Sequence, residues 1–323
     1  MTTATVHLTL GEPQVVGVLA VHPLFGPAPA LEYRAFAQAR AHGALVRELE
    51  HAASVNTLLV RNPTDRAVLL YEGEQVVGAQ QDRTIDSSVL VGAGTSVPVP
   101  VSCVEQGRWD GRRHGEHFEP AGRSDDPSLR RVKREAAARN AARGLAARPA
   151  QGEVWQEVGT RLRRFAVASE SARLGDLFDQ RSGEIGALAD DVELRDGQLG
   201  ALACVGGAPV ALDVVSRPDV FAALHDGLVR GYALDALGAR SAGGDPADPA
   251  RAAAFVDAAL SAPRRPVPAA GLGEAHTLAG AGVIGSSLAH EGELIALCAF
   301  PSRGGSERAH GIARPSRRRG RAV

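Results

Sequence analysis

The sequence predicts an α+β fold: a strand-rich N-terminal half, a helical middle, and a second small α/β portion with two hairpins. Three observations carry that expectation. Short apolar runs separated by turn residues follow one another from 44 to 104. Ala- and Arg-rich stretches without strand alternation fill much of 129–189. Two pairs of apolar runs close on Gly206-Gly207 and on Glu291-Gly292, turns of the hairpin kind.

Taken in order, residues 14–22 read as a strand, stopped by Pro23 and the loop holding Pro27 and Pro29. Leu31, Phe36, Ala37 and Ala41 predict a short helix over 30–42, ended by Gly43. Runs at 44–49, 55–61, 67–72 and 74–79 predict four strands. Asn62-Pro63-Thr64-Asp65 is a turn between two of them, and Glu72-Gly73-Glu74 a tight corner or a bulge. Strands at 84–91 and 97–104 follow. Residues 110–127, with Gly111, Gly115, Pro120, Gly122 and Pro127, read as loop. Ser128 is placed to cap a helix over 129–147, and further helices are expected near 153–166 and 170–189. After the hairpin 198–205/208–215, Val220, Leu224, Leu228, Tyr232 and Leu237 mark one stripe of a helix over 219–237. A short helix at 251–260, a Pro-rich linker at 261–270 and the hairpin 282–289/293–300 complete the series. The expected organisation is 1–109 strand-rich, 110–197 loop and helices, 198–300 hairpins and helices sharing the core, and 301–323 a disordered basic tail.

At 323 residues, 44% hydrophobic and 23% charged, the chain has the composition of a soluble globular protein. Only 4% is aromatic, so its cores must rest on Val, Leu, Ile and Ala. Lys133 is the lone lysine among 36 basic residues, which makes nearly every fixed positive charge a planar guanidinium suited to carboxylates and phosphates. Three scattered cysteines give neither a zinc pattern nor a disulfide framework. The N-terminus lacks a signal-peptide pattern, and no apolar run reaches membrane-crossing length, so a cytoplasmic protein is expected.

The functional lead is the density of polar residues within the strands from Glu72 to Trp109. Buried polar groups are costly unless they are hydrogen-bonded or serve a site. Arg83 and Arg108 are suited to hold a phosphate or carboxylate. Glu72, Glu74, Asp82 and Glu105 are suited to acid/base work, to ribose hydroxyls, or to a hard divalent cation. Trp109 can stack on a ring. The alternative is that these groups satisfy one another as ion pairs and turn caps.

Two segments carry a family resemblance. Leu70-Tyr71-Glu72-Gly73-Glu74-Gln75-Val76-Val77-Gly78-Ala79-Gln80-Gln81-Asp82-Arg83 and Pro100-Val101-Ser102-Cys103-Val104-Glu105-Gln106-Gly107-Arg108-Trp109 resemble the signatures of the ADP-ribosylglycohydrolase (ARG) and rhodanese-phosphatase-superfamily-associated proteins. The first departs from the family pattern at Gln80, usually Lys, and at Asp82, usually Asn; the second matches throughout. Ala208–Asp213 and Leu228–Tyr232 extend the likeness, which covers roughly residues 6 to 300. The resemblance implies a setting in the processing of NAD-derived ADP-ribose. On that footing the chain binds an ADP-ribose- or NAD-related nucleotide, with or without hydrolysing it. Arg83 and Arg108 would hold the pyrophosphate, and Glu105 and Asp82 would bind ribose or activate water. Gln80, Gln81 and Gln106 would orient the ligand, with Trp109 lining the pocket. The rival expectation is a non-catalytic protein that binds a partner enzyme of ADP-ribose metabolism.

Other motifs fall on context. Gly280-Ala281-Gly282-Val283-Ile284-Gly285 has the spacing of a dinucleotide fingerprint but no following helix, strand and acidic residue, so its glycines are read as turns. His114-Gly115-Glu116-His117 lacks the spacing of a metallopeptidase helix. Cys103 reads as a buried structural cysteine. The helix residues Arg130, Arg131, Lys133, Arg134, Arg139 and Arg143 read as a solvated face, and the Arg-rich tail, without interleaved aromatics, as solubilising rather than nucleic-acid-binding.

Overall fold

The computed structural model describes residues 7–27, 30–49, 54–107, 114–239 and 247–302. The chain opens with β1 (Thr9–Leu10), β2 (Gln14–Val16), β3 (Leu19–Phe25), β4 (Tyr33–Ala35) and α1 (Phe36–Arg40). It continues through β5 (Leu45–Arg47), β6 (Thr57–Asn62), β7 (Ala67–Leu70), β8 (Glu74–Ala79), β9 (Arg83–Ile85), β10 (Val89–Val91), β11 (Thr95–Cys103) and β12 (His114–Ser124). Five helices follow with one hairpin among them: α2 (Pro127–Ala142), α3 (Gln151–Arg164), α4 (Leu174–Gln180), α5 (Ser182–Ala189), β13 (Gly200–Val205), β14 (Ala208–Val215) and α6 (Pro218–Leu237). The last elements are α7 (Pro249–Ser261), β15 (Arg264–Val267), β16 (Glu274–Gly280), β17 (Val283–His290) and β18 (Glu293–Pro301).

The fold is α+β, as expected. A closed barrel runs in the order β11-β6-β5-β12-β8-β9, and a three-stranded sheet in the order β10-β7-β4. A nine-stranded sheet has the order β1-β3-β13-β14-β18-β17-β16-β15, with β2 also paired to β3. The first and last parts of the chain therefore meet in one sheet. Its inner face, carrying Val21, Ala203, Ala211 and Phe300, packs with Phe221, Leu228 and Tyr232 of α6 and with Leu129 of α2. Its outer face, carrying Leu202, Leu212 and Leu297, is covered by Ala252, Val256 and Ala259 of α7. The barrel has its own interior of Val46, Leu58, Val60, Val76, Val99, Val101 and Phe118. The aliphatic character of all three cores matches the scarcity of aromatics.

The structure departs from the sequence reading in several places. Where a helix was expected over 30–42, Tyr33–Ala35 is a strand parallel to β7 and only Phe36–Arg40 is helical. The Tyr33 hydroxyl, bonded to the Ile295 carbonyl and to Ser216, pins that strand to the large sheet. The run 84–91 splits, with β9 in the barrel and β10 in the small sheet. Residues 114–124, read as loop, form β12, an irregular strand whose register shifts twice against β8. That pairing depends on Gly78: its φ is +132°, and a Cβ there would lie 2.6 Å from the His117 carbonyl oxygen. The linker 261–270 contains β15, and the helix expected over 170–189 breaks into α4 and α5 at Arg181. The fingerprint glycines Gly280 and Gly282 make the β16–β17 turn, both at positive φ. Among the described residues no helix is long and apolar enough to cross a membrane. The basic tail lies outside the described residues.

Candidate functional site

The two polar motifs are brought side by side. The antiparallel pairing of β9 with β11 sets Arg83 opposite Cys103 and Thr84 opposite Ser102. Beyond the pairing, the Asp82 N–H donates to Glu105 Oε2 at 3.1 Å, and the Val104 N–H to the Asp82 carbonyl at 3.1 Å. Gln81 Nε2 donates to the Gln106 carbonyl at 3.2 Å.

The side chains of this junction turn inward. Arg83 is fully buried; its Nη1 donates to the Gln81 carbonyl at 3.0 Å, and its Nη2 lies 3.7 Å from Glu48. Glu105 is buried and receives the Ser171 hydroxyl at 2.8 Å. Asp82 is paired with Arg173 Nε at 2.6 Å. The Cys103 thiol donates to the Glu105 carbonyl at 2.8 Å, and burial raises its pKa against the opposing pull of Arg83. Arg83 and Glu105 thus close upon their neighbours rather than facing one open cavity. Gln80 is half-buried beside them and Gln106 is exposed, while Arg108 and Trp109 lie outside the described residues, as do the side chains of His114 and Glu116.

Glu74 sits at the start of β8, where its Oε2 accepts the Tyr71 N–H at 2.5 Å. Burial pushes its carboxyl up to about 7, against the lowering effect of that bond. Glu72 points the other way, into the seam between barrel and sheet. It pairs with Arg134 Nε at 2.6 Å and accepts the Ser286 hydroxyl at 2.7 Å. Burial works to raise its pKa, but Arg134, Arg130 and these hydrogen bonds outweigh it and hold the carboxyl below its ordinary value.

The seam corrects the reading of α2 as a solvated basic face. Arg130, Lys133 and Arg134 are buried, at 1%, 4% and 6% exposure. Arg130 makes a two-point pair with Asp213 of β14, and Lys133 lies 3.0 Å from Asp86 and 3.2 Å from Asp125. Gly73 at φ +88° permits this approach, since a Cβ there would sit 2.7 Å from Arg130 Nε. Neighbouring charges raise the pKa of all three cations against the opposing effect of burial. The spacing 130, 133, 134, 137 is that of one helix stripe, shared with buried Ala137. Basic residues in core positions were therefore a signal in the sequence. What the sequence withheld was their partners, which come from 8 to 83 positions away.

A cavity of about 420 Å³ opens against this seam. Its sides are Ser87, Ser88 and Pro100 from the barrel side, Ala141 of α2 and 144–148 after it, and 267–270 beside the large sheet. Its floor is set by strand alternation. Ser286 faces Glu72, so its register partner Thr277 and the neighbouring pair Ala275–Leu288 share that face. Arg134 stands at the back. Its Nε and Nη2 are taken by Glu72 and the Asp86 carbonyl, and its Nη1 has no partner among the described residues. A guanidinium fixed on one side and open on the other is a preorganised donor for a ligand oxygen. Among the described residues no group of three or more His, Cys, Asp or Glu is arranged to hold a metal ion.

Residues 7–300 match the family model described as the ARG and Rhodanese-Phosphatase-superfamily-associated Protein domain. The chain belongs to that family. No curated protein and no solved structure matches it.

Proposed function

We propose that the protein binds an ADP-ribose- or NAD-related nucleotide in the cavity beside α2. The observation that carries this reading is Arg134, braced by Glu72 and lining a space of about 420 Å³. That volume falls within the usual range of small-molecule sites, roughly 300–1,000 Å³. Apolar walls of Ala, Pro, Val and Leu suit a base, the Ser88, Thr277 and Ser286 hydroxyls suit a sugar, and exposed Arg148 at the rim suits a phosphate. Reading ARG in the family description as ADP-ribosylglycohydrolase supports the ADP-ribose setting.

Binding is favoured over hydrolysis by the state of the carboxylates. A general base must be able to reach a water and take its proton. Glu72, Asp82 and Glu105 are each engaged by an arginine, a hydroxyl or a backbone N–H. The closure of the motif cluster also supports the second reading, in which this surface stabilises a protein that docks to an enzyme of ADP-ribose processing.

Thermal shift with ADP-ribose, NAD and ADP, with and without magnesium, tests the proposal. Ligand at about 100 times its Kd stabilises by roughly 2.7 kcal/mol, a readily measured rise in Tm. Arg148→Ala should weaken that rise, and Ala141→Trp, from an exposed position on the wall, should abolish it. Arg108→Ala reports on the second motif. No shift at millimolar ligand removes the nucleotide reading and leaves the docking protein. Chromatography of the incubated ligands reads any turnover.

A further inference from the structure

A second cavity, of about 300 Å³, lies where the start of α2 meets the ends of α3 and α6. It shares no lining residue with the first. Its charged walls are Asp126, which caps α2, Arg131 within that helix, Glu157, Arg161 and Arg164 from α3, and Asp235 from α6. Most of these charges are matched locally. Arg161 places Nε and Nη2 on Asp126, at 2.8 and 3.0 Å, and Nη1 on Glu157 at 2.9 Å. Arg131 is held by Glu135, one turn further along α2 at 3.6 Å. With Glu135 counted, four carboxylates stand against three guanidiniums, so the cavity does not favour a bare anion.

Two groups of opposite charge keep open hydrogen-bonding positions. Asp235 accepts the Ser128 hydroxyl on Oδ1 at 2.5 Å, and its Oδ2 has no hydrogen-bonding partner among the described residues. Exposed Arg164 donates Nη2 to the carbonyl of Gly238, the residue that caps α6, and its Nε and Nη1 have no hydrogen-bonding partner among the described residues. Asp235 lies one turn before Gly238, so the two open groups border the same end of α6. The rest of the wall includes apolar Val132, Phe165 and Leu234, and the Arg164 guanidinium lies 5.8 Å from the Phe165 ring centre.

We propose that this cavity is a second ligand site, for a small α-amino acid with an aliphatic side chain, held at both ends of its zwitterion. The ammonium donates to Asp235 Oδ2, the carboxylate accepts from Arg164 Nε and Nη1, and the side chain lies against Val132, Phe165 and Leu234. A zwitterion brings no net charge, and its ammonium end meets the side of the cavity where carboxylates crowd. Burial, then repulsion from Asp126, raises Asp235 to about 6, against the Ser128 hydrogen bond and the pull of Arg161 and Arg131. At neutral pH the group is ionised under that repulsion, which a neighbouring ammonium relieves.

Equilibrium dialysis with labelled L-leucine at pH 7.5 tests this, and two one-ended analogues test each contact. 4-Methylpentanoate lacks the ammonium and 3-methylbutylamine lacks the carboxylate; each should compete at least about tenfold more weakly than unlabelled leucine. Asp235→Asn keeps the bond from Ser128, and Arg164→Gln alters an exposed position. Each should weaken leucine binding by about tenfold or more while the far-UV circular dichroism stays unchanged. Thr160→Trp, which sets an indole across the mouth from an exposed helix position, should abolish binding. Between pH 7.5 and 5 leucine keeps both charges while Asp235 takes up a proton, so binding should weaken at the lower pH in the unaltered protein and not in Asp235→Asn. Millimolar ADP-ribose should leave leucine bound, because the two cavities are separate. No leucine uptake, an analogue that competes as well as leucine, uptake that survives Thr160→Trp, or displacement by ADP-ribose overturns the proposal.

Discussion

Arg130 of α2 grips Asp213 of β14 through two nitrogens, at 2.9 and 2.5 Å, with both side chains buried. The Tyr71 and Tyr232 hydroxyls donate to the same carboxylate at 2.8 and 2.6 Å, and the guanidinium also lies 4.9 Å from the Phe300 ring centre. One pair thus ties the barrel, the large sheet, α2 and α6 together. Burying two charges costs several kcal/mol per ion, and pairing with good geometry roughly offsets it.

Breaking that pair from one side should be severe. Arg130→Ala strands an ionised Asp213 in the seam and should cost about 3–5 kcal/mol of unfolding free energy in urea denaturation. Arg130→Met with Asp213→Asn removes both charges and leaves an acceptor for the two tyrosines. The double variant should be more stable than Arg130→Ala alone. If it is the less stable of the two, the seam's stability does not depend on charge balance as argued.

Glu74 gives stability a pH dependence of its own. Its folded pKa is about 7, against an ordinary 4.5. A raised carboxyl is neutral in both states at low pH, so stability is full below 4.5 and is lost as pH rises through about 7. Glu74→Gln cannot ionise and can still accept the Tyr71 N–H. At pH 8 it should exceed the unaltered protein by about 1–2 kcal/mol, a figure discounted for the partial exposure of Glu74. At pH 4 the two should match. Urea titrations at both pH values check this, and an equal gap at each would rule out ionisation as its source.

The sequence revealed most where structure is local. Gly206-Gly207 and Glu291-Gly292 all take positive φ, the requirement of a two-residue hairpin turn, so both hairpins were legible from their turn residues. The adjacency of the polar motifs was foreshadowed by two strands ending in them. β12 was hidden because its pairing rests on a close approach at Gly78 rather than on its own alternation. Burial of Arg130, Lys133 and Arg134 was hidden because charge argues for solvent until distant partners are known. The cavity was hidden for the same reason: its walls come from residues 87 to 288 and converge only in the fold.

All three cysteines are buried and free. Burial pushes Cys204 and Cys298 up to about 12 and raises Cys103 as well. Since the thiolate is the reactive form, a disulfide reagent should label none of them in the native protein and all three in denaturant. Stoichiometric labelling in native buffer, read by intact mass, would show that the seam around Cys298 or the junction around Cys103 opens to solvent.

His22 should set the acid limit. It lies on β3 at 1% exposure, opposite Leu202, and neither ring nitrogen meets a partner with hydrogen-bond geometry among the described residues. Burial holds its pKa below 6.5, against weaker opposing pulls from the Gly11 backbone and Glu12. A depressed imidazole favours the unfolded state once protons are abundant. Its contribution is therefore intact above 6.5 and lost as pH falls below that value. Stability should fall between pH 7.5 and 5, and His22→Leu, which cannot take the proton, should shrink that fall. Because Glu74 acts in the opposite sense, the single variants should tilt the stability–pH curve in opposite directions. If His22→Leu leaves the acid limb of the urea midpoints unchanged, some other group controls it.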